Sequence, residues 1–144
     1  TLNSELFEKT SKTIKKGIII KETIGKGLVE LIENGKLNSD EMSHLLAYYL
    51  KPMINENVNC LVLGCTHYAY LIPQIRKIVG NQMQIIDSGE AVARQTKAVL
   101  QANKIVNTNL KSGQHQFYIN KDKIALERIL ANYADKINIT EKSF

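Results

Sequence analysis

Leu61-Val62-Leu63-Gly64-Cys65-Thr66-His67-Tyr68 is the stretch that decides how this chain folds. An apolar run stops at a glycine, a thiol follows at once, and a hydroxyl and an imidazole come directly after it. Downstream, Leu71, Ile72, Ile75, Ile78 and Val79 recur at helical spacing. The pattern predicts a buried strand, a tight turn at Gly64 and a helix beginning near Thr66. Cys65 then stands at the positive end of a helix, beside free backbone N–H groups. Such a place favours thiolate over thiol, which makes Cys65 a candidate for chemistry. The other reading is a small buried residue, because free cysteines are among the most buried types.

Outward from this stretch the chain alternates. Asn3-Ser4 caps a first helix with Leu6, Phe7, Thr10 and Ile14 along one stripe and Gly17 closing it. Ile18-Ile19-Ile20 reads as a short β-branched strand. Gly25-Lys26-Gly27 connects to a short helix, Leu28 to Glu33, which Asn34-Gly35 ends. Asn38 and Ser39 cap a longer helix, with Glu41 as a capping-box partner to Asn38. Met42, Leu45, Leu46, Tyr49 and Leu50 form its apolar stripe, and Pro52 kinks or ends it. Cys60 to Leu63 is continuous and apolar, as a parallel strand buried on both faces requires.

The helix from Thr66 to Val79 stops at Gly80, and Met83 to Ile86 is a further strand. Asp87-Ser88 opens a helix to about Lys104. Gln116 to Ile119 is a late strand, and Ile124 to Tyr133 a last amphipathic helix. Strands alternating with helices predict an α/β fold with a parallel sheet. Ligands of such sheets bind at the carboxyl ends of strands, where Cys65 and Asp87 both fall.

Composition narrows the class. With 144 residues, 44% of them hydrophobic, the chain is long enough for a real core. No apolar run approaches a membrane span. The two cysteines lie on one strand and its end, too awkwardly placed for a disulfide and without a second Cys/His pair for zinc. A reduced, intracellular protein is expected. The net charge of +5 raises nucleic-acid binding, but the densest basic cluster, Lys9, Lys12, Lys15 and Lys16, shares its helix with Glu5 and Glu8. Few aromatics interleave and no recognition motif is present. A basic surface of this kind suits a small anionic substrate instead.

Gly64-Cys65-Thr66-His67-Tyr68, after Leu61-Val62-Leu63, resembles the second cysteine motif of the cofactor-independent glutamate racemases, within the aspartate/glutamate racemase family. Ile32-Glu33-Asn34-Gly35 resembles that family's glutamate-containing turn. Ile85 to Ala93 resembles the strand and helix after the cysteine, and Phe117-Tyr118-Ile119 its final strand. The Gly-Cys-Thr-His-Tyr run is the specific part.

The resemblance implies a two-base racemisation of glutamate for peptidoglycan synthesis. One thiolate removes the α-proton and a thiol on the opposite face returns one. Cys65 would be one of the two, acting on the L-enantiomer. His67 would assist its proton transfer, Glu33 would be the assisting carboxylate, and Thr66 with His67 would bind substrate. No cofactor or metal is implied, nor a nucleic-acid or membrane partner, and the location expected is cytoplasmic.

The resemblance also implies that the chain is the carboxy-terminal portion of a racemase. Residues 1–87 would be its second α/β domain. Residues 88–144 would be a helix-strand-helix segment returning to an amino-terminal domain of the same polypeptide, which supplies the partner cysteine and an Asp-Ser pair. Cys60 cannot be that partner, since it shares a strand with Cys65. Exposed apolar surface around Gln116–Ile119 and a homodimer are expected, with the isolated half inactive. Ala69 stands where the family usually has proline, and the segment before Leu28 lacks its usual Cys-Pro.

Two other readings stay open: a racemase of aspartate or another amino acid, against which His67 speaks because aspartate racemases usually carry glutamate there, and a non-catalytic binding module on the same scaffold. Asp87 is expected to cap the following helix. His44 and His115 are given no role, and Tyr48, Tyr49 and Tyr70 are read as packing residues.

Overall fold

The computed structural model describes residues 9, 17–109 and 113–143. The elements are α1 (Leu28–Glu33), α2 (Asp40–Asn55), β1 (Cys60–Val62), a 3-10 segment (Thr66–Leu71), α3 (Ile72–Val79) and β2 (Gln84–Ile86). They continue with α4 (Gly89–Ala102), β3 (His115–Ile119), α5 (Lys123–Ile129), a second 3-10 segment (Ala131–Lys136) and β4 (Ile137–Glu141). The first helix expected around Leu6 and Ile14 lies outside the described residues.

β1 and β2 pair in parallel, Leu61 opposite Ile85 and Val62 opposite Ile86. The Leu63 N–H extends the ladder by donating to the Ile86 carbonyl at 2.8 Å. β3 and β4 form a second parallel pair, Phe117 opposite Ile139. Helices therefore alternate with parallel strands, as an α/β chain requires.

One core joins the first of these sheets to its helices. Leu28, Leu31 and Ile32 of α1 meet Met42, Leu46 and Leu50 of α2, with Leu63, Leu71 and Ile75 beside them. Leu61 and Ile85 pack onto this cluster from the inner face of the sheet. Alternation turns Val62 and Ile86 to the other face, where they are 67% and 41% exposed. The expectation of a strand buried on both faces is therefore corrected, because among the described residues the core cluster covers only one side of this two-stranded pair.

Other expectations also yield to context. Ile18-Ile19-Ile20 forms no strand, since β1 is paired only with β2 among the described residues, and Ile19 is 85% exposed. The N-cap of α2 is Ser39, whose Oγ accepts from the Met42 N–H at 3.1 Å. No Asn38–Glu41 capping box forms: Asn38 accepts from Gln74 and Glu41 pairs with Lys36. Pro52 does not end α2, which runs one turn further; its carbonyl still accepts from the Glu56 N–H at 3.1 Å. The last helix stops at Ile129 and tightens into the second 3-10 segment, and β4 was not expected at all.

Candidate active site

The path from β1 into the site begins with Cys65, which is extended (φ −126°, ψ 137°) and half-buried. Its carbonyl accepts from the Tyr68 N–H at 3.0 Å, starting the 3-10 segment. The expected α-helix from Thr66 is corrected here. Pro73 near the start of α3 fixes φ and has no N–H, so it favours the first turn of a new helix over the interior of an older one. The six residues before Ile72 wind as 3-10 instead. Cys65 thus faces the end of a short 3-10 turn, with less dipole behind it than a full α-helix provides.

The imidazole of His67 makes up for this. Its Nδ1 lies 3.9 Å from Cys65 Sγ, and its Nε2 lies 3.2 Å from Glu33 Oε1. Glu33 is the last residue of α1, which the core residues Leu28, Leu31 and Ile32 hold against the 3-10 segment. At this distance the carboxylate can pair with a hydrogen-bearing Nε2, since an ionised carboxylate only accepts. With the hydrogen on Nε2, Nδ1 would be the nitrogen that receives the proton of the Cys65 thiol. The imidazolium so formed would be stabilised by Glu33, and the thiolate by the imidazolium. The structure thus brings Cys65, His67 and Glu33 into one chain of contacts.

Cys65 also borders a small open cavity of about 130 Å³, lined by Leu63, Thr66, Ala69, Asp87, Ser88 and Gly89 as well as the cysteine. Thr66 is at its wall, exposed. Asp87 Oδ1 accepts from the Gly89 N–H at 2.8 Å, the capping role expected of it, and also borders the cavity. His67 and Glu33 are not among the lining residues. Ligand pockets usually reach ~300–1,000 Å³, so this one has the size of a single wall. Among the described residues no group of three or more His, Cys, Asp or Glu could hold a metal ion.

Two features were missed in the sequence. The Tyr68 hydroxyl donates to the Gly25 carbonyl at 3.1 Å, and the Tyr49 hydroxyl to the Lys26 carbonyl at 3.0 Å. Burial, and then the negative charge that Cys65, Tyr49 and Glu30 can carry nearby, raise the Tyr68 phenol above its ordinary 10.0. The paired glycines around Lys26 were the available signal. Of the histidines without an assigned role, His44 meets the Asp40 carbonyl of its own helix, and His115 borders a separate apolar depression with Phe117 and Tyr133.

No protein-family profile matches the chain. It is 30% identical to a glutamate racemase of Bacillus cereus over 132 residues, 92% of this chain and 49% of that protein. It is 41% identical to one of Pseudomonas putida over 104 residues, 72% of this chain and 39% of that protein. Among solved structures, glutamate racemase RacE1 of Bacillus anthracis superposes with a TM-score of 0.78 at 24% identity, covering 96% of this chain and 52% of that one. The glutamate racemase of Francisella tularensis in complex with D-glutamate gives 0.64 at 24%, covering 81% and 44%. The fold is thus that of these racemases, and the chain spans about half the length of the curated relatives it matches. Identity of this order, sustained over most of the chain and joined to the shared fold, makes this chain a member of the glutamate racemase family.

Proposed function

We propose that this chain contributes one half of the active site of an enzyme that interconverts L- and D-glutamate by two-thiol proton transfer, without a cofactor. The single observation that carries the reading is the Cys65–His67–Glu33 chain, with a cavity that Cys65 itself lines. Cys65, as the thiolate, takes the α-proton of the L-enantiomer and leaves a planar carbanion. A second thiol, from an amino-terminal half of the same polypeptide, delivers a proton to the opposite face. One turnover leaves Cys65 protonated and the second thiol ionised; a reverse turnover, or proton exchange of both thiols with water, restores the starting state.

The chemistry is demanding because the α-hydrogen of an amino acid is a very weak acid. Positioned acid–base groups give roughly 10²–10⁴-fold acceleration. The rest must come from donors preorganised around the developing charge and from water exclusion. Thr66 at the cavity wall is placed to bind a substrate carboxylate through its hydroxyl, and His67 contributes to the same binding. The small cavity volume supports a site completed by a second wall. Residues 1–87 form the second α/β domain of this enzyme, and residues 88–144 return to the first. The enzyme is a cytoplasmic homodimer serving peptidoglycan synthesis. No helix among the described residues is long and apolar enough to cross a membrane.

The test is α-proton exchange of L-glutamate in deuterated water by the intact polypeptide carrying Cys65→Ala. Loss of exchange is expected. A normal rate would end the assignment of Cys65.

A further inference from the structure

The His67–Glu33 contact depends on where α1 lies, and α1 is poorly equipped to fix its own position. It has six residues, roughly 9 Å of helix, far short of the length at which an isolated helix persists. Its N-cap is Gly27, in the left-handed region at φ 84°, with no side-chain cap. Leu28, Leu31 and Ile32 bury one face of it in the core, and the turn that leads into it has further anchors.

Two phenols supply them. Tyr49 of α2 takes the Lys26 carbonyl, and Tyr68 of the 3-10 segment takes the Gly25 carbonyl. The second is the more telling. Tyr68 directly follows His67, so one short segment grips α1 at both ends, by a phenol at its start and an imidazole at its finish. The approach is close: a Cβ on Gly25 would lie 2.7 Å from the Tyr68 hydroxyl and 2.6 Å from Leu28 Cδ1. Any Cβ there would force the Tyr68 phenol or the Leu28 side chain to shift. A phenol stays protonated throughout the neutral range, so the hydroxyl is a donor there, and burial raises its pKa further.

We propose that Tyr68 is a positioning residue, whose bond to the Gly25 carbonyl holds α1 in the register that brings Glu33 to His67. The coupling of Tyr68 to the His67–Glu33 contact stands on these distances alone. Its consequence for turnover rests on the racemase reading above.

The experiment reads the two separately. The imidazole ¹⁵N resonances of His67 are recorded in the chain labelled at histidine, for Glu33→Ala, Tyr68→Phe, Gly25→Ala and, as a control on an exposed phenol, Tyr48→Phe. Glu33→Ala defines the signature of the broken contact. Tyr68→Phe and Gly25→Ala are expected to shift the Nε2 resonance in that direction, and Tyr48→Phe to leave it in place. Gly25→Ala keeps the test decisive should Tyr68→Phe unfold, and the reverse. A His67 spectrum unchanged in whichever of the two variants folds overturns the proposal, regardless of activity. In the intact enzyme, Tyr68→Phe is expected to lower kcat about tenfold with KM nearly constant, since small misplacements of catalytic groups cost up to about a hundredfold. Unchanged kcat alongside a shifted spectrum would leave the coupling standing and remove Glu33 from catalysis.

Discussion

Nε2 of His67 lies 3.2 Å from Oε1 of Glu33, joining the residue two places after the cysteine to the last residue of a helix that ends long before it in sequence. The relation matters because a histidine alone can accept a thiol proton, whereas one backed by a carboxylate is also held in a single tautomer and orientation.

Glu33→Gln therefore separates function from stability. The Glu33 side chain is 51% exposed, and exposed ion pairs contribute only about 0–1 kcal/mol. The melting temperature of the variant should stay close to that of the parent. Turnover should fall about tenfold, because a misplaced or unsupported catalytic imidazole can cost up to about a hundredfold. Paired thermal melts and α-proton exchange rates check this. Equal turnover in both proteins would make the contact a surface pair.

Much of this arrangement was readable in the sequence where the signal is local. The stripe Met42, Leu46 and Leu50 is periodic and does face the core, and Gly64-Cys65-Thr66-His67 fixes thiol and imidazole within three residues of each other. What depends on distant partners was not readable. Ile18-Ile19-Ile20 has the composition of a strand, but a strand exists only with a ladder partner. β4 carries the alternation Ile137, Ile139 in a segment too polar to stand out, and its pairing with β3 is a tertiary fact. The Gly25–Tyr68 approach joins residues of different elements that no spacing rule connects. Glu33 entered through family resemblance, not through any pattern of its own.

Leu71→Ala should test the junction of the 3-10 segment with α3. Leu71 is fully buried beside Ile32 and Met42. Truncating such a side chain costs about 2–5 kcal/mol through lost burial and the cavity left behind. Urea denaturation of the chain measures it, and a loss below about 1 kcal/mol would mean that this part of the core is loosely packed.

Alkaline titration tests the Tyr68 environment. Burial, followed by Cys65, Tyr49 and Glu30, raises its pKa above 10.0 in the folded chain. The folded state then binds the phenolic proton more tightly than the unfolded state does. The sign follows: the contribution is fully present below about pH 10 and is lost as pH rises through the folded value. Stability should decline over that window, and Tyr68→Phe should flatten the decline. Denaturant midpoints on both sides of pH 10 would show it, and parallel declines in the two proteins would contradict it.

The surface of α4 bears on how the chain is completed. None of its residues is buried, yet Val92 and Val99, seven positions apart and so on one helical face, are 60% and 47% exposed. Replacing both by lysine should change the stability of the chain itself by no more than about 0.5 kcal/mol per site, as surface substitutions do. If residues 88–144 return to pack against an amino-terminal half, the same lysines would be pressed into an apolar interface in the intact polypeptide. Desolvating them costs several times more than any surface effect, so the intact protein should lose stability and activity although neither valine touches the site. Denaturation curves of both forms, wild type and double variant, decide the matter. Equal small effects in the two would leave α4 a solvated helix and send the search for the missing contact to Tyr118 and its neighbours on β3.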